Sequence, residues 1–217
     1  MKDGWIVDFW SAVFGFLSKI SVFSFLRLVT RSGAPSYGFV EAYVLAHTML
    51  ALLTLVIATM NHNKPVSWLL LILVLYGSLR VFETIVYQIN VLLFDEYRAF
   101  KAGKEYKVRS FRRLVLLLLH NYLEVLCWFG VFYTFFYRSG DLTIPAKNVE
   151  FFTIFRESLL MMISFSPERN EPITSLGMFV ITVHSFVGIF MTVIVLARFL
   201  ALLPAPASKD AMDNRKD

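Results

Sequence analysis

Apolar residues run in blocks long enough to cross a bilayer, broken by short polar intervals. Glu41–Met60, Ser67–Phe94, Leu114–Tyr137 and Ser175–Leu203 are four such blocks. A hydrocarbon core about 30 Å thick needs roughly 20 helical residues, so each predicts a spanning helix. The 28 residues of Ser67–Phe94 would reach about 42 Å at 1.5 Å per residue, which requires tilt or projection beyond the hydrocarbon. Between the third and fourth blocks lies Phe151–Ser164 (FFTIFRESLLMMIS), apolar but too short to span. Phe165–Pro172 (FSPERNEP) follows, with two prolines and several charges, and then the last block begins. A short helix, a polar break and a full span predict a re-entrant segment. Irregular backbone at membrane depth survives only where protein covers it or it lines a watery cavity.

The first forty residues carry a different pattern. Asp8, Ser11, Gly15 and Ser18 recur at spacings of three, four and three, with Lys19 beside them. Trp5, Phe9, Phe16, Ile20 and Phe23 fall elsewhere around the helix. Gly4–Val29 is long enough to span, but this amphipathic arrangement predicts a helix lying in the membrane interface. A fifth span is the rival and would move the N-terminus to the other side. The resulting division is an N-terminal segment 1–40, three spans in 41–137, a re-entrant loop and last helix in 138–203, and a polar tail 204–217 expected to be disordered.

Composition agrees with a membrane class. Hydrophobic residues make up 57% and charged ones 17%, too apolar for a soluble domain of 217 residues around one core. The net charge of +5 does not point to nucleic acid, because the bases cluster at the ends of apolar runs. Asp95–Arg113 holds seven bases against three acids, whereas Arg138–Thr174 holds four against five. The positive-inside rule places the 95–113 loop and the C-terminus in the cytoplasm and the re-entrant segment outside, in a multi-pass protein expected in the plasma membrane. Cys127 is the only cysteine, so no intrachain disulfide or cysteine metal cluster exists. No cleavable leader is expected, since Asp3 and Asp8 interrupt the start and no small-residue cleavage site follows.

Polar residues inside the spans form a second constellation. Arg80 and Glu83 share a helix face in the second span, with Gln88 and Asn90 further on. His120, Asn121 and Glu124 occupy the third. A charge at mid-bilayer costs about 2.5–3.5 kcal/mol on translocon scales, so these groups must find partners. Antiparallel second and third helices would bring Arg80 to Glu124 and make a buried Glu83–Arg80–Glu124 cluster. Polar glue fixing helix register is the preferred role; a sensor or proton-linked gate is the alternative. One arginine does not make a voltage sensor, which needs several gating charges.

Enzyme chemistry finds little support. His47, His62, His120 and His184 lie on separate segments, without H-E-x-x-H spacing. His120 and Glu124 at helical spacing supply only two metal ligands. No nucleophile elbow, P-loop or dinucleotide fingerprint occurs. No enzyme activity, cofactor or metal is expected, an intramembrane enzyme being the third reading.

Phe151–Leu203 resembles the pore module of tetrameric two-helix pore-loop cation channels, the potassium-channel-like group. The resemblance rests on the short helix, the filter-length loop, Pro172-Ile-Thr174-Ser-Leu-Gly177 at the entry to the last span, and Gly188 near its middle. It covers about a quarter of the chain. It implies an all-α membrane protein in which Ser164, Phe165, Ser166, Pro167 and Glu168 form the filter region. It also implies a homotetramer conducting monovalent cations, surrounded by membrane lipids. The filter itself departs from the family. No glycine lies between Gly140 and Gly177, and Pro167 fixes φ and removes an N–H donor, so the carbonyl ladder of a TVGYG filter is not expected. A wider constriction from serine hydroxyls and a ring of Glu168 carboxylates would give weak cation selectivity. Glu168 as a solvated turn is the plainer reading, and Gly188 reads as a packing residue before it reads as a hinge. A non-conducting protein that keeps this fold to bind a partner or lipid is the main alternative function.

Overall fold

The computed structural model describes residues 4–20, 37–61, 65–106, 110–144, 149–163, 165–167 and 170–200. Its helices are α1 (Trp5–Leu17), α2 (Tyr37–Met60), α3 (Trp68–Ile89), α4 (Asp95–Lys101), α5 (Phe111–Ser139), α6 (Phe151–Met162) and α7 (Ser175–Leu200). A π-helical segment, Asn90–Phe94, joins α3 to α4 without a break, and the two-residue strands β1 (Leu142–Thr143) and β2 (Glu171–Pro172) pair antiparallel. Among the described residues four helices are long and apolar enough to cross a membrane: Gly38–Met60, Trp68–Lys101, Arg112–Ser139 and Ser175–Leu200. The described residues are therefore all-α apart from one short ribbon, and the chain has the composition of a multi-pass membrane protein.

Local chemistry sets the helix ends. The Ser67 side chain accepts from the Leu70 amide and starts α3; Ser110 accepts from Arg113 and starts α5. These caps satisfy amides that have no intrahelical partner. Gly140 ends α5 in the left-handed region, at φ 88°, where a Cβ would be strained.

Two boundaries differ from the sequence expectation. The basic segment expected as a loop over 95–113 is helical through Lys101, because Asp95 and Glu96 in the first turn and Arg98 and Lys101 in the last suit the helix dipole. The N-terminal helix ends at Leu17, and residues 21–29 of the expected Gly4–Val29 helix lie outside the described residues. The polar tail expected after residue 203 also lies outside them.

The four long helices alternate in direction. Arg113 pairs with Glu41 at one end, while Arg138 donates to the Pro65 carbonyl at the other. We call these the basic end and the ribbon end. Helix α5 is central, with 61% of its apolar window buried against 33% for α7. Trp128, Phe129 and Tyr133 of α5 are fully buried beside Leu55 of α2, Met162 of α6 and Met191 and Ile194 of α7.

Candidate functional site

Helix α6 leaves the ribbon end and stops inside the bundle. It packs on α5, α7 and α2. About two-thirds of the way along α6, the Ser158 hydroxyl donates to the Leu126 carbonyl of α5 at 2.7 Å. At its C-terminal end, the Met162 carbonyl accepts from the Thr192 hydroxyl at 2.8 Å, and Tyr122 lies 3.2 Å from that hydroxyl. A Cβ on Gly188 would lie 2.7 Å from the Met161 carbonyl oxygen and 2.9 Å from the Met162 Cα. Gly188 is thirteen residues into α7, about 20 Å at 1.5 Å per residue, or half the helix. The Phe165 amide then donates to the Leu160 carbonyl at 2.8 Å, turning the chain back. It returns to the ribbon end at β2, where Ile173 and Thr174 amides donate to the Asp141 carbonyl. The segment between β1 and β2 thus enters and leaves at one end of the bundle and reaches its middle.

Of the residues expected in the filter, Phe165 and Ser166 are exposed on the return and Pro167 is half-buried. Ser164 and Glu168 lie outside the described residues. Gly188 is buried at the α6–α7 contact, where its missing side chain lets the two backbones approach.

A buried polar group behind α6 was not singled out from the sequence. Glu157 of α6 is inaccessible on its own side of the helix and accepts from Arg156 at 3.3 Å. On the neighbouring helices, the Tyr133 hydroxyl sits 2.5 Å from His184 Nδ1, and the His184 ring stacks on Phe129 at 3.8 Å. Among the described residues, His184 Nε2 and both amide atoms of Asn170 are buried without a hydrogen-bond partner. Such orphaned atoms are rare in folded proteins and are able to take up a polar partner. Glu157 entered the sequence reading only as one charge in an outer segment; its burial depends on α6 docking.

The Arg80 cluster assembles at the α3–α5 interface. Arg80 grips Glu124 with two hydrogen bonds, Nε to Oε1 at 2.9 Å and Nη2 to Oε2 at 3.0 Å. Nη1 reaches Glu83 Oε2 at 2.5 Å and the Tyr43 hydroxyl at 2.8 Å. Trp128 Nε1 donates to Glu124 Oε1 at 3.3 Å. Arg80 and Glu83 are buried and Glu124 is fully enclosed. Bidentate geometry and extra donors are what allow ions to survive burial. The sequence reading lacked Tyr43 and Trp128. Trp128 stands one turn from Glu124 and was accessible by spacing, but Tyr43 arrives from another helix. His120 does not join Glu124: its Nδ1 is unpartnered, while Glu124 points to Arg80. Among the described residues no group of three His, Cys, Asp or Glu side chains converges as metal ligands would.

The polar side of α1 is also occupied. Asp8 accepts from Tyr97 at 2.6 Å and pairs with Lys101; Arg98 donates to Ser11, and Asn90 to the Phe14 carbonyl. The Lys101 ammonium and then the Tyr97 hydroxyl hold the Asp8 carboxyl below the usual carboxylate range. The apolar side, with Trp5, Ile6, Phe9 and Phe16 more than half exposed, faces outward. An amphipathic helix on a soluble protein does the reverse.

Comparison with family models, with characterised proteins and with solved structures returns no match. The resemblance of Phe151–Leu203 to pore modules therefore rests on its own residues alone.

Proposed function

We propose that this protein is a weakly selective cation channel that forms its pore as a homotetramer. In this reading α6 is a pore helix, residues 163–170 are the pore loop and α7 is the inner helix. The observation that carries it is the close backbone contact between the C-terminal end of α6 and Gly188 at the midpoint of α7, with both ends of the loop tied at the ribbon. One such loop encloses nothing, so conduction requires copies arranged about a cyclic axis. The high exposure of α7 leaves it free for such contacts. Monovalent cations would pass a constriction of carbonyls, Ser164 and Ser166 hydroxyls and Glu168 carboxylates, with membrane lipid around the assembly. The basic end faces the cytoplasm by the positive-inside rule. Helix α1 lies at that interface, its polar face on the protein and its apolar face in lipid.

Single-channel recording from purified protein in planar bilayers, with the oligomer counted by mass, tests this reading. Cation-selective openings from a tetramer support it; silent recordings from a folded oligomer overturn it. The competing reading is a non-conducting protein with this fold. It is favoured by the exposed Phe165 ring and by Pro167, which leave little room for a ladder of coordinating carbonyls.

A further inference from the structure

The basic end of the bundle carries a groove that fits a lipid better than it fits water. Val7, Trp10 and Phe14 of α1 form one wall, Leu93 and Phe94 of the π-segment form the floor, and Phe190 of α7 closes the far side. Its volume is about 590 Å³, within the roughly 300–1,000 Å³ of ligand sites. Every lining side chain is apolar or aromatic. The groove exists because α1 is held by its polar face, through Asp8, Ser11 and the Phe14 carbonyl. That leaves its apolar face standing off α7.

Charge at the basic end of the bundle narrows the choice of occupant. Arg98, Lys101 and Arg113 each hold a carboxylate, from Asp95, Asp8 and Glu41. Arg198 does not. Its Nη2 donates to the Val91 carbonyl at 3.3 Å, and no carboxylate reaches it among the described residues. A guanidinium has five N–H donors, so most remain available. Arg198 lies eight residues beyond Phe190, about 12 Å along α7, and Val91 sits between the groove residues Ile89 and Leu93. An apolar slot with a half-buried, carboxylate-free arginine at its polar end matches an acyl chain joined to an anionic headgroup. The geometry points to a specific site for an anionic phospholipid, one acyl chain lying between α1 and α7 and its phosphate on Arg198. This site is independent of whether the protein conducts.

The test uses full-length protein in phosphatidylcholine bilayers containing a minor fraction of acyl-brominated lipid, which quenches nearby tryptophan. The Trp10 signal is obtained by subtracting the emission of Trp10→Phe from that of the wild type. Brominated phosphatidylglycerol is expected to quench Trp10 about fivefold more effectively than brominated phosphatidylcholine, the factor one cation near an anionic surface confers. Arg198→Gln is expected to abolish that preference. Native mass spectrometry of the wild type, which needs no substitution, is expected to show phosphatidylglycerol retained after exchange into detergent and phosphatidylcholine lost. Equal quenching by the two lipids would reduce the groove to ordinary annular contact and overturn the proposal. A preference that survives Arg198→Gln would remove the headgroup assignment, and no quenching by either lipid would show that lipid does not enter the groove and would overturn the proposal.

Discussion

Gly188 and Met161 meet backbone to backbone: a methyl group on Gly188 would stand 2.7 Å from the Met161 carbonyl oxygen. Neither partner is a flexible side chain, so the contact yields only if α6 moves. Gly188→Ala is expected to destabilise the protein by about 1–3 kcal/mol, the usual cost of overpacking. Thr192→Val, which removes the neighbouring hydrogen bond to Met162, should cost about 1 kcal/mol. Thermal unfolding in detergent checks both. A fully stable Gly188→Ala protein with altered opening would favour a hinge over packing at this position.

Arg80, Glu83 and Glu124 should behave as one unit. Arg80→Met alone leaves two carboxylates in the interior and is expected to cost about 3–5 kcal/mol. Combining it with Glu83→Gln and Glu124→Gln should recover much of that loss, since no uncompensated charge then remains. Melting temperatures of the single, double and triple variants provide the comparison. Strictly additive losses would exclude a coupled cluster.

Asp141 ties the end of α5 to the start of α7. Its side chain accepts from Ser139 and from Thr174, the latter at 2.7 Å, and these hydroxyls hold its carboxyl below the ordinary value of 3.8. A depressed carboxylate contributes stability above its unfolded pKa and loses it as pH falls through the lower folded value. Asp141→Asn should therefore be less stable than wild type at neutral pH, and the difference should fade only below the ordinary carboxylate range. Unfolding midpoints as a function of pH give the comparison; a difference independent of pH would assign the loss to geometry alone.

If Glu168 rings an outer mouth, Glu168→Gln should reduce cation conductance more at 0.01 M than at 0.1 M salt. The Debye length falls from about 30 Å to about 10 Å between them, so a charged ring concentrates cations mainly in dilute solution. Glu168→Lys should lower cation flux further. Conductance and reversal potential in asymmetric KCl measure both, with Glu150→Gln as the control. An unchanged Glu168→Lys channel would place the ion path elsewhere.

Topology is open to direct labelling. In a Cys127→Ser background, cysteines replacing Lys104 and Glu168 should react with impermeant maleimide from opposite sides of the membrane. Labelling of both from one side would remove the orientation drawn from the arginine and lysine bias.

The sequence alone determined the four long helices and the short apolar segment between the last two. Hydrophobic block length is a local property, and the bilayer converts it directly into span or no span. It also specified the pairing surface of Arg80 with Glu83, since neighbours one turn apart are set by helical period. Tertiary structure alone decided the rest. That α6 stops against Gly188 depends on the docking of one helix on two others, as does the burial of Glu157 and the meeting of Tyr133 with His184. Tyr43 enters the Arg80 cluster from a helix 37 residues away in sequence, a distance no periodicity spans. The same holds for α1. Its spacing declared two faces, but only the positions of Tyr97, Arg98 and Lys101 decided that the polar face would turn inward to the protein and leave the apolar face outside.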